Sequence, residues 1–107
     1  MQIIIGSDHA GYELKERLVE KLRQEGMEVE DHGTSNAESC DYPDIGLKVA
    51  ETVVADPSRR GILICGTGVG MSIVANKVPG VRAAPAYHTR AAHYAPQHND
   101  ARLAVLG

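Results

Sequence analysis

Apolar residues recur along this chain in two alternating rhythms. Short β-branched runs read as buried strands, and stripes spaced by three or four read as helices. Residues 3–5, all isoleucine, form the first run, the kind that suits a strand covered on both faces. A glycine-containing polar stretch, residues 6–11, follows. Leu14, Leu18 and Leu22 then recur at every fourth position with Val19 beside them. They predict a helix whose leucine stripe is core. Glu13 and Arg17 add an i,i+4 pair of the helpful orientation, and Gly26 stands where a helix ends on a C′ glycine. Residues 27–31 alternate apolar and acidic and predict a second strand. After a polar loop over 32–42, Pro43 and Asp44 suit the first turn of a second helix. Its period runs through Ile45, Val49 and Val53 and breaks at Asp56-Pro57-Ser58.

A third strand over 61–65 leads into a loop with glycine at every second position, Gly66, Gly68 and Gly70, and then a helix over 72–77. Pro79-Gly80 is a turn. Residues 81–86 make a weak fourth strand, because Pro85 removes a ladder donor. A short helix over 88–95 is stopped by Pro96, and residues 103–106 form a fifth strand. Strands alternating with helices predict an α/β fold: a three-layer α/β/α sandwich around a Rossmann-like, five-stranded parallel sheet. Loops after the first three strands then gather at the carboxyl edge, where ligands bind in such sheets. Asp8, His9, Tyr42 and Cys65 would share that edge. His98 precedes the fifth strand and belongs at the opposite edge of its own subunit, so a catalytic role for it requires a neighbouring subunit. The chain also stops directly after the fifth strand without a closing helix. Both features predict an oligomer, or a chain shorter than the natural protein.

At 107 residues the chain is expected to form a single domain, 1–107, and 43% apolar content is enough for a packed core. With no Phe or Trp, that core is built from Ile, Leu, Val, Ala and Met. A net charge of −3 argues against a nucleic-acid partner. The N-terminus has neither the basic nor the long apolar region of a signal peptide, and no run is long enough to span a membrane. Cys40 and Cys65 lie far apart without C-x-x-C spacing, which predicts reduced thiols in the cytoplasm. His88, His93 and His98 are spaced by five and do not share a helical face, so no metal site is expected.

The chemistry gathers in residues 61–72. A buried strand ends in a thiol, and a glycine loop delivers the chain to a helix N-terminus. Backbone N–H groups and the helix dipole there suit an anion, and the same field favours a reactive thiolate. Plainer readings stand beside this one. Free cysteine is among the most buried residues, so by spacing alone Cys65 reads as an inert strand-end thiol. The glycines could serve only a tight turn. They match neither the dinucleotide G-x-G-x-x-G nor a Walker loop. Asp8 suits a turn or cap, and Tyr42 suits packing beside Pro43. Cys40, His32, His88 and His93 read as ordinary loop or surface residues.

Five segments together resemble the type B ribose 5-phosphate isomerase family, grouped with the galactose 6-phosphate isomerase subunits. They are Gly6-Ser7-Asp8-His9-Ala10-Gly11, Asp41-Tyr42-Pro43-Asp44, Ile64-Cys65-Gly66-Thr67-Gly68-Val69-Gly70, Ala75-Asn76-Lys77-Val78-Pro79-Gly80-Val81-Arg82 and His98-Asn99-Asp100. They occur in family order across the whole chain. The resemblance implies an aldose–ketose isomerase acting on a phosphorylated sugar without metal or other cofactor, as a homodimer or homotetramer with shared sites. It implies Cys65 as the base that moves a proton between C1 and C2. Thr67 would assist at the oxygens, and Asp8 would open the ring with His98 of the partner subunit. The binding residues it implies are His9 near the phosphate, Tyr42 and Asn99 along the substrate, and the loop Gly66, Gly68, Val69, Gly70 and Ser72 around the enediolate. A subgroup of the family carries a glutamate base at position 71; with Met71 and Cys65, this chain resembles the cysteine subgroup. Against the family pattern, the chain ends at Gly107, without the C-terminal helix and its phosphate-gripping arginines, and carries Pro85 and Pro96. The second functional class these features leave open is a non-catalytic protein that binds a small anion or sugar phosphate.

Overall fold

The computed structural model describes residues 2–34, 42–66, 68–86 and 101–107. The chain runs β1 (Gln2–Ser7), α1 (Tyr12–Gln24), β2 (Glu28–Asp31), α2 (Tyr42–Val54), β3 (Arg59–Ile64), α3 (Val69–Asn76), β4 (Ala83–Pro85) and β5 (Leu103–Leu106). The strands form one sheet in the order β2-β1-β3-β5-β4, and each neighbouring pair is parallel. This is the α/β architecture expected from strand–helix alternation. The Pro43 region, the Asp56-Pro57 break and the Pro79-Gly80 turn all fall outside strands; β3 begins at Arg59, before the expected 61, and β4 spans only Ala83–Pro85 of the expected 81–86.

Side-chain alternation along the strands separates two cores. Ile4 of β1, Leu63 of β3, and Leu103 and Val105 of β5 point to one face, where Val49 and Val53 of α2 and Met71 and Ala75 of α3 cover them. Ile5 and Ile64 point to the other face and meet Val19 of α1, with Leu18, Val29, Ile62 and Leu106 packed around them. The all-isoleucine start of β1 is thus explained, because its central positions are buried from both sides.

α1 departs from the leucine-stripe expectation. Leu14 is 41% exposed, whereas Lys15 is only 1% exposed and, with Val19, forms the buried line of the helix. The helix is turned about its axis by one residue relative to the stripe. Acidic partners explain why: Lys15 Nζ lies 2.7 Å from a carboxylate oxygen of Asp31 at the end of β2 and 2.7 Å from one of Glu16. A paired ammonium can be buried where a lone one cannot. Its aliphatic stem supplies the apolar contact expected of Leu14.

Two side chains close elements from a distance. Arg59 donates to Thr52 O, and Arg102 donates to Val53 O and Asp56 O. Cations from β3 and the approach to β5 therefore add donors around the C-terminal end of α2, where Val53 O and Asp56 O also accept from Asp56 N and Arg59 N. At the far edge of the sheet, the Asn76 side-chain amide accepts from Ala83 N and donates to Ala83 O, both at 2.9 Å. β4 is that edge strand, which is where the missing N–H of Pro85 is tolerated. No helix among the described residues is long and apolar enough to cross a membrane.

Candidate active site

Chain direction places a crevice between β1 and β3. From β1 the chain goes outward through α1 to β2; from β2 it returns across β1 through α2 to β3. The connections leaving β1 and β3 therefore part to opposite faces of the sheet, which opens a ligand crevice outside their carboxyl ends. The loop after β1 carries Asp8 to Gly11, and the loop after β3 carries Cys65 to Gly68.

The two loops touch. Asp8 N donates to Ile64 O at 3.0 Å, extending the β1–β3 pairing by one step. A methyl on Gly11 would meet Ile64 Cγ2 at 2.6 Å, and a methyl on Gly66 would lie 3.8 Å from Ala10 Cβ. The glycine at position 11 lets α1 begin against the strand end; the one at 66 leaves space. Asp8 is only 8% exposed, and its Oδ1 accepts from Gly11 N at 2.9 Å. The turn-forming reading of Asp8 is therefore realised. His9 and Gly66 are exposed.

Cys65 follows β3 directly and is 6% exposed. Its N–H donates to Leu106 O at 3.1 Å, and its Sγ accepts from Gly68 N at 3.1 Å. Gly68 is the N-cap of α3 with φ 79 and ψ −13. α3 therefore starts at Val69, three residues earlier than the expected Ser72. The left-handed glycine makes the sharp entry, and Ser72 N closes the first turn on Gly68 O at 3.1 Å. The N-terminal end of α3, with the positive end of its dipole, opens at the same edge. An N–H aimed at sulfur is the contact a thiolate accepts, and the helix dipole reinforces it. Val69 is exposed and Gly70 and Ser72 are half-buried at this helix start. Met71 is fully buried and packs in the α2–α3 core.

The structure brings Asp8, His9, Cys65, Gly66, Gly68, Val69, Gly70 and Ser72 to one edge, with α2 starting there at Tyr42. Thr67, His98 and Asn99 lie outside the described residues, as do Cys40, His88, His93 and Pro96. Among the described residues no group of three or more His, Cys, Asp or Glu could hold a metal ion.

Sequence reasoning misses two charged residues at this edge. Lys15 and Asp31 line an open cleft of about 620 Å³ beside the first loop, together with Tyr12, His32, Thr34 and Ile45. Burial works against the Lys15 charge, but hydrogen bonds and charges from Asp31 and Glu16 outweigh it and raise the ammonium above its ordinary value. Lys15 Nζ also lies 5.3 Å from the centre of the Tyr12 ring. The usable signal is positional: Lys15, Val19 and Leu22 share one helical face, and Asp31 ends a strand at the carboxyl edge.

Comparison with known proteins agrees with this geometry over nearly the whole chain. A family model described as Ribose/Galactose Isomerase matches residues 3–107. The ribose-5-P isomerase B of Listeria innocua is 45% identical over 107 residues, covering 100% of this chain and 72% of that protein. The ribose-5-phosphate isomerase B of Clostridium thermocellum superposes with a TM-score of 0.96 at 54% identity, covering 100% of this chain and 72% of its own. The enzyme of the same name from Mycoplasma genitalium, solved with bound ribulose-5-phosphate, gives a TM-score of 0.95 at 41% identity, covering 99% and 71%.

Proposed function

The chain belongs to the ribose/galactose isomerase family, and on that premise we propose that it interconverts ribose 5-phosphate and ribulose 5-phosphate through an enediolate. Cys65 is the base. The single observation that carries this reading is the contact of Gly68 N with Cys65 Sγ at the mouth of α3. It supports a thiolate held beside a set of N–H dipoles.

The thiolate takes the proton from C2 of the open-chain aldose. The C2–H electron pair becomes the C1=C2 double bond, and the carbonyl oxygen at C1 becomes an enediolate oxygen that takes up a proton. Return of a proton to C1 and loss of the hydroxyl proton at C2 give the ketose. Negative charge grows on oxygen during this step. The backbone of the loop from Gly66 to Gly70 stabilises it there, and preorganised dipoles of this kind usually contribute most to the acceleration. Thr67 moves protons at these oxygens.

Ring opening precedes this chemistry. Asp8, with one oxygen committed to Gly11, serves it together with His98 of the partner subunit. His9 stands by the phosphate, and Tyr42 and Asn99 line the sugar. The assignment of His98 across subunits rests on direction. β5 begins at Leu103, opposite Gly61, and a segment entering there is a strand length from Cys65. The outward face of α3 carries Val69 and Ile73, 51% and 54% exposed, which supports a second copy of the chain against the site. We place the protein in the cytoplasm as a homodimer or homotetramer that needs no metal or other cofactor.

The test is turnover of ribose 5-phosphate by this chain beside its Cys65→Ala variant, with light scattering for mass. Loss of the base is expected to cost about 10²- to 10⁴-fold in kcat. Full turnover in Cys65→Ala removes Cys65 from the mechanism. A folded wild type that binds ribulose 5-phosphate without turning it over favours the binding-only class.

A further inference from the structure

We propose that Lys15 and Asp31 are positioning residues that hold Asp8 at the crevice; the inference rests on the ring-opening role of Asp8. The residues involved form a closed circuit. Lys15 Nζ donates to Asp31 Oδ2 at 2.7 Å. Asp31 Oδ1 accepts from Gly33 N at 2.9 Å. Gly33 O accepts from Ser7 N at 2.6 Å, and Thr34 N donates back to Ser7 O at 2.9 Å. Ser7 is bonded to Asp8, whose Oδ1 accepts from Gly11 N at 2.9 Å. Gly11 O accepts from Lys15 N at 2.9 Å, which closes the circuit. Lys15 enters twice, through its ammonium and through its backbone.

This circuit locks two loops that would otherwise be joined only through the sheet. Asp31 divides its oxygens between them: one grips the first turn of α1, the other grips the loop that leaves β2. Asp8 sits between the two grips, and its carboxylate is oriented on one side by Gly11. A buried ammonium is costly, and an apolar side chain of similar volume would fill the same space without that cost. The charge is explained by what it orders: the ammonium takes Asp31 Oδ2 and leaves Oδ1 to Gly33 N. Glu16, 51% exposed, neutralises the remainder from the solvent side.

Four forms of the full chain test this: wild type, Asp8→Asn, Lys15→Met and the double variant. Asparagine at position 8 keeps the oxygen that caps Gly11. With ribose 5-phosphate, Asp8→Asn is expected to lose about a hundredfold in kcat. Lys15→Met is expected to lose about tenfold, the cost of a displaced group. Acting through Asp8, the lysine has nothing left to position once Asp8 is gone, so the double variant should match Asp8→Asn alone. Where Asp8→Asn loses activity, two multiplied losses, the mark of independent damage to the fold, overturn the proposal, as does an undiminished Lys15→Met. Amide hydrogen exchange supplies a readout that needs no turnover. The Gly11 amide should exchange faster in Lys15→Met, while the Gly68 amide in the other loop stays as in wild type. An unchanged Gly11 amide overturns the proposal whatever the kinetics. If Asp8→Asn turns over normally, the ring-opening role of Asp8 falls, and the Gly11 amide alone decides the positioning. Asp31→Asn, which keeps the shape and weakens the grip, carries the same comparison should Lys15→Met not fold.

Discussion

Gly68 donates its backbone N–H to the sulfur of Cys65 at 3.1 Å while standing in a left-handed conformation, φ 79. The donor geometry and the glycine are one requirement, because only that backbone turn points the N–H back at residue 65. Space is not the obstacle: a methyl at position 68 would meet Leu106 and Gly107 atoms at 3.5 Å, an ordinary contact. Gly68→Ala is therefore expected to fold with a loss of about 1–2 kcal/mol from the left-handed strain. Relaxation of that strain swings the N–H off the sulfur, so turnover should fall far more than stability. Urea unfolding and kcat measured together check this; equal and small effects on both would sever the link between the turn and the thiol.

Crowding decides the matter at Gly11, where an added methyl would lie 2.6 Å from Ile64 Cγ2 and 2.9 Å from Ile64 O. Gly11→Ala should cost about 1–3 kcal/mol, the usual range for overpacking, and should separate the loop after β1 from the loop after β3. Gly26→Ala is the control, since a methyl there meets nothing within 4 Å. Thermal unfolding and turnover should show both losses at position 11 and only a stability loss at position 26.

The Lys15 ion pairs have a defined pH signature. Because the folded-state ammonium is raised above its ordinary value of 10.5, its contribution is complete below that pH and is lost as pH rises through the higher folded value. The gap in Tm between wild type and Lys15→Met should thus be flat through neutral pH and shrink above about pH 10.5. A gap that closes in the acid range instead would assign the stability to the carboxylates.

Arg102 should be replaceable only at a cost to α2. Its guanidinium donates to Val53 O and Asp56 O at 3.3 and 3.2 Å. Arg102→Met removes both bonds while Val53 O keeps Asp56 N and Asp56 O keeps Arg59 N, so the expected loss is about 0.5–1.5 kcal/mol. Arg102→Lys is expected to recover little, since one point charge cannot span two carbonyls as a planar fork does. Urea unfolding of the two variants checks this, with turnover per folded molecule expected to stay unchanged.

The layout of strands and helices is legible because each pattern is local: isoleucines at 3–5, the period through Ile45, Val49 and Val53, and the proline breaks. The convergence of Asp8, His9 and Cys65 follows from strand direction alone. The partnership of Lys15 with Asp31, sixteen positions apart, is not legible in this way. The positions of both residues allow the pairing without requiring it, and the leucine stripe points to a different face of α1. Periodicity assigns Leu14 to the core, but an ion pair rotates the helix and exposes it. The early start of α3 at Val69 is hidden for a related reason: the left-handed turn of Gly68 begins the helix inside a glycine series that reads as loop.

The hold of Asn76 on Ala83 has a consequence for how copies of this protein meet. An edge strand offers unpaired N–H and C=O groups to any passing strand. At β4 those groups of Ala83 are already occupied by a side-chain amide that imitates a neighbouring strand for one residue. The opposite edge, β2, is guarded by charge instead, with Glu28 and Glu30 exposed along it. Among the described residues, both edges of the sheet thus carry a feature that disfavours pairing with another strand. Encounters between copies are then left to helix and loop surfaces, where a specific assembly can form at high concentration without competing against fibrous stacking.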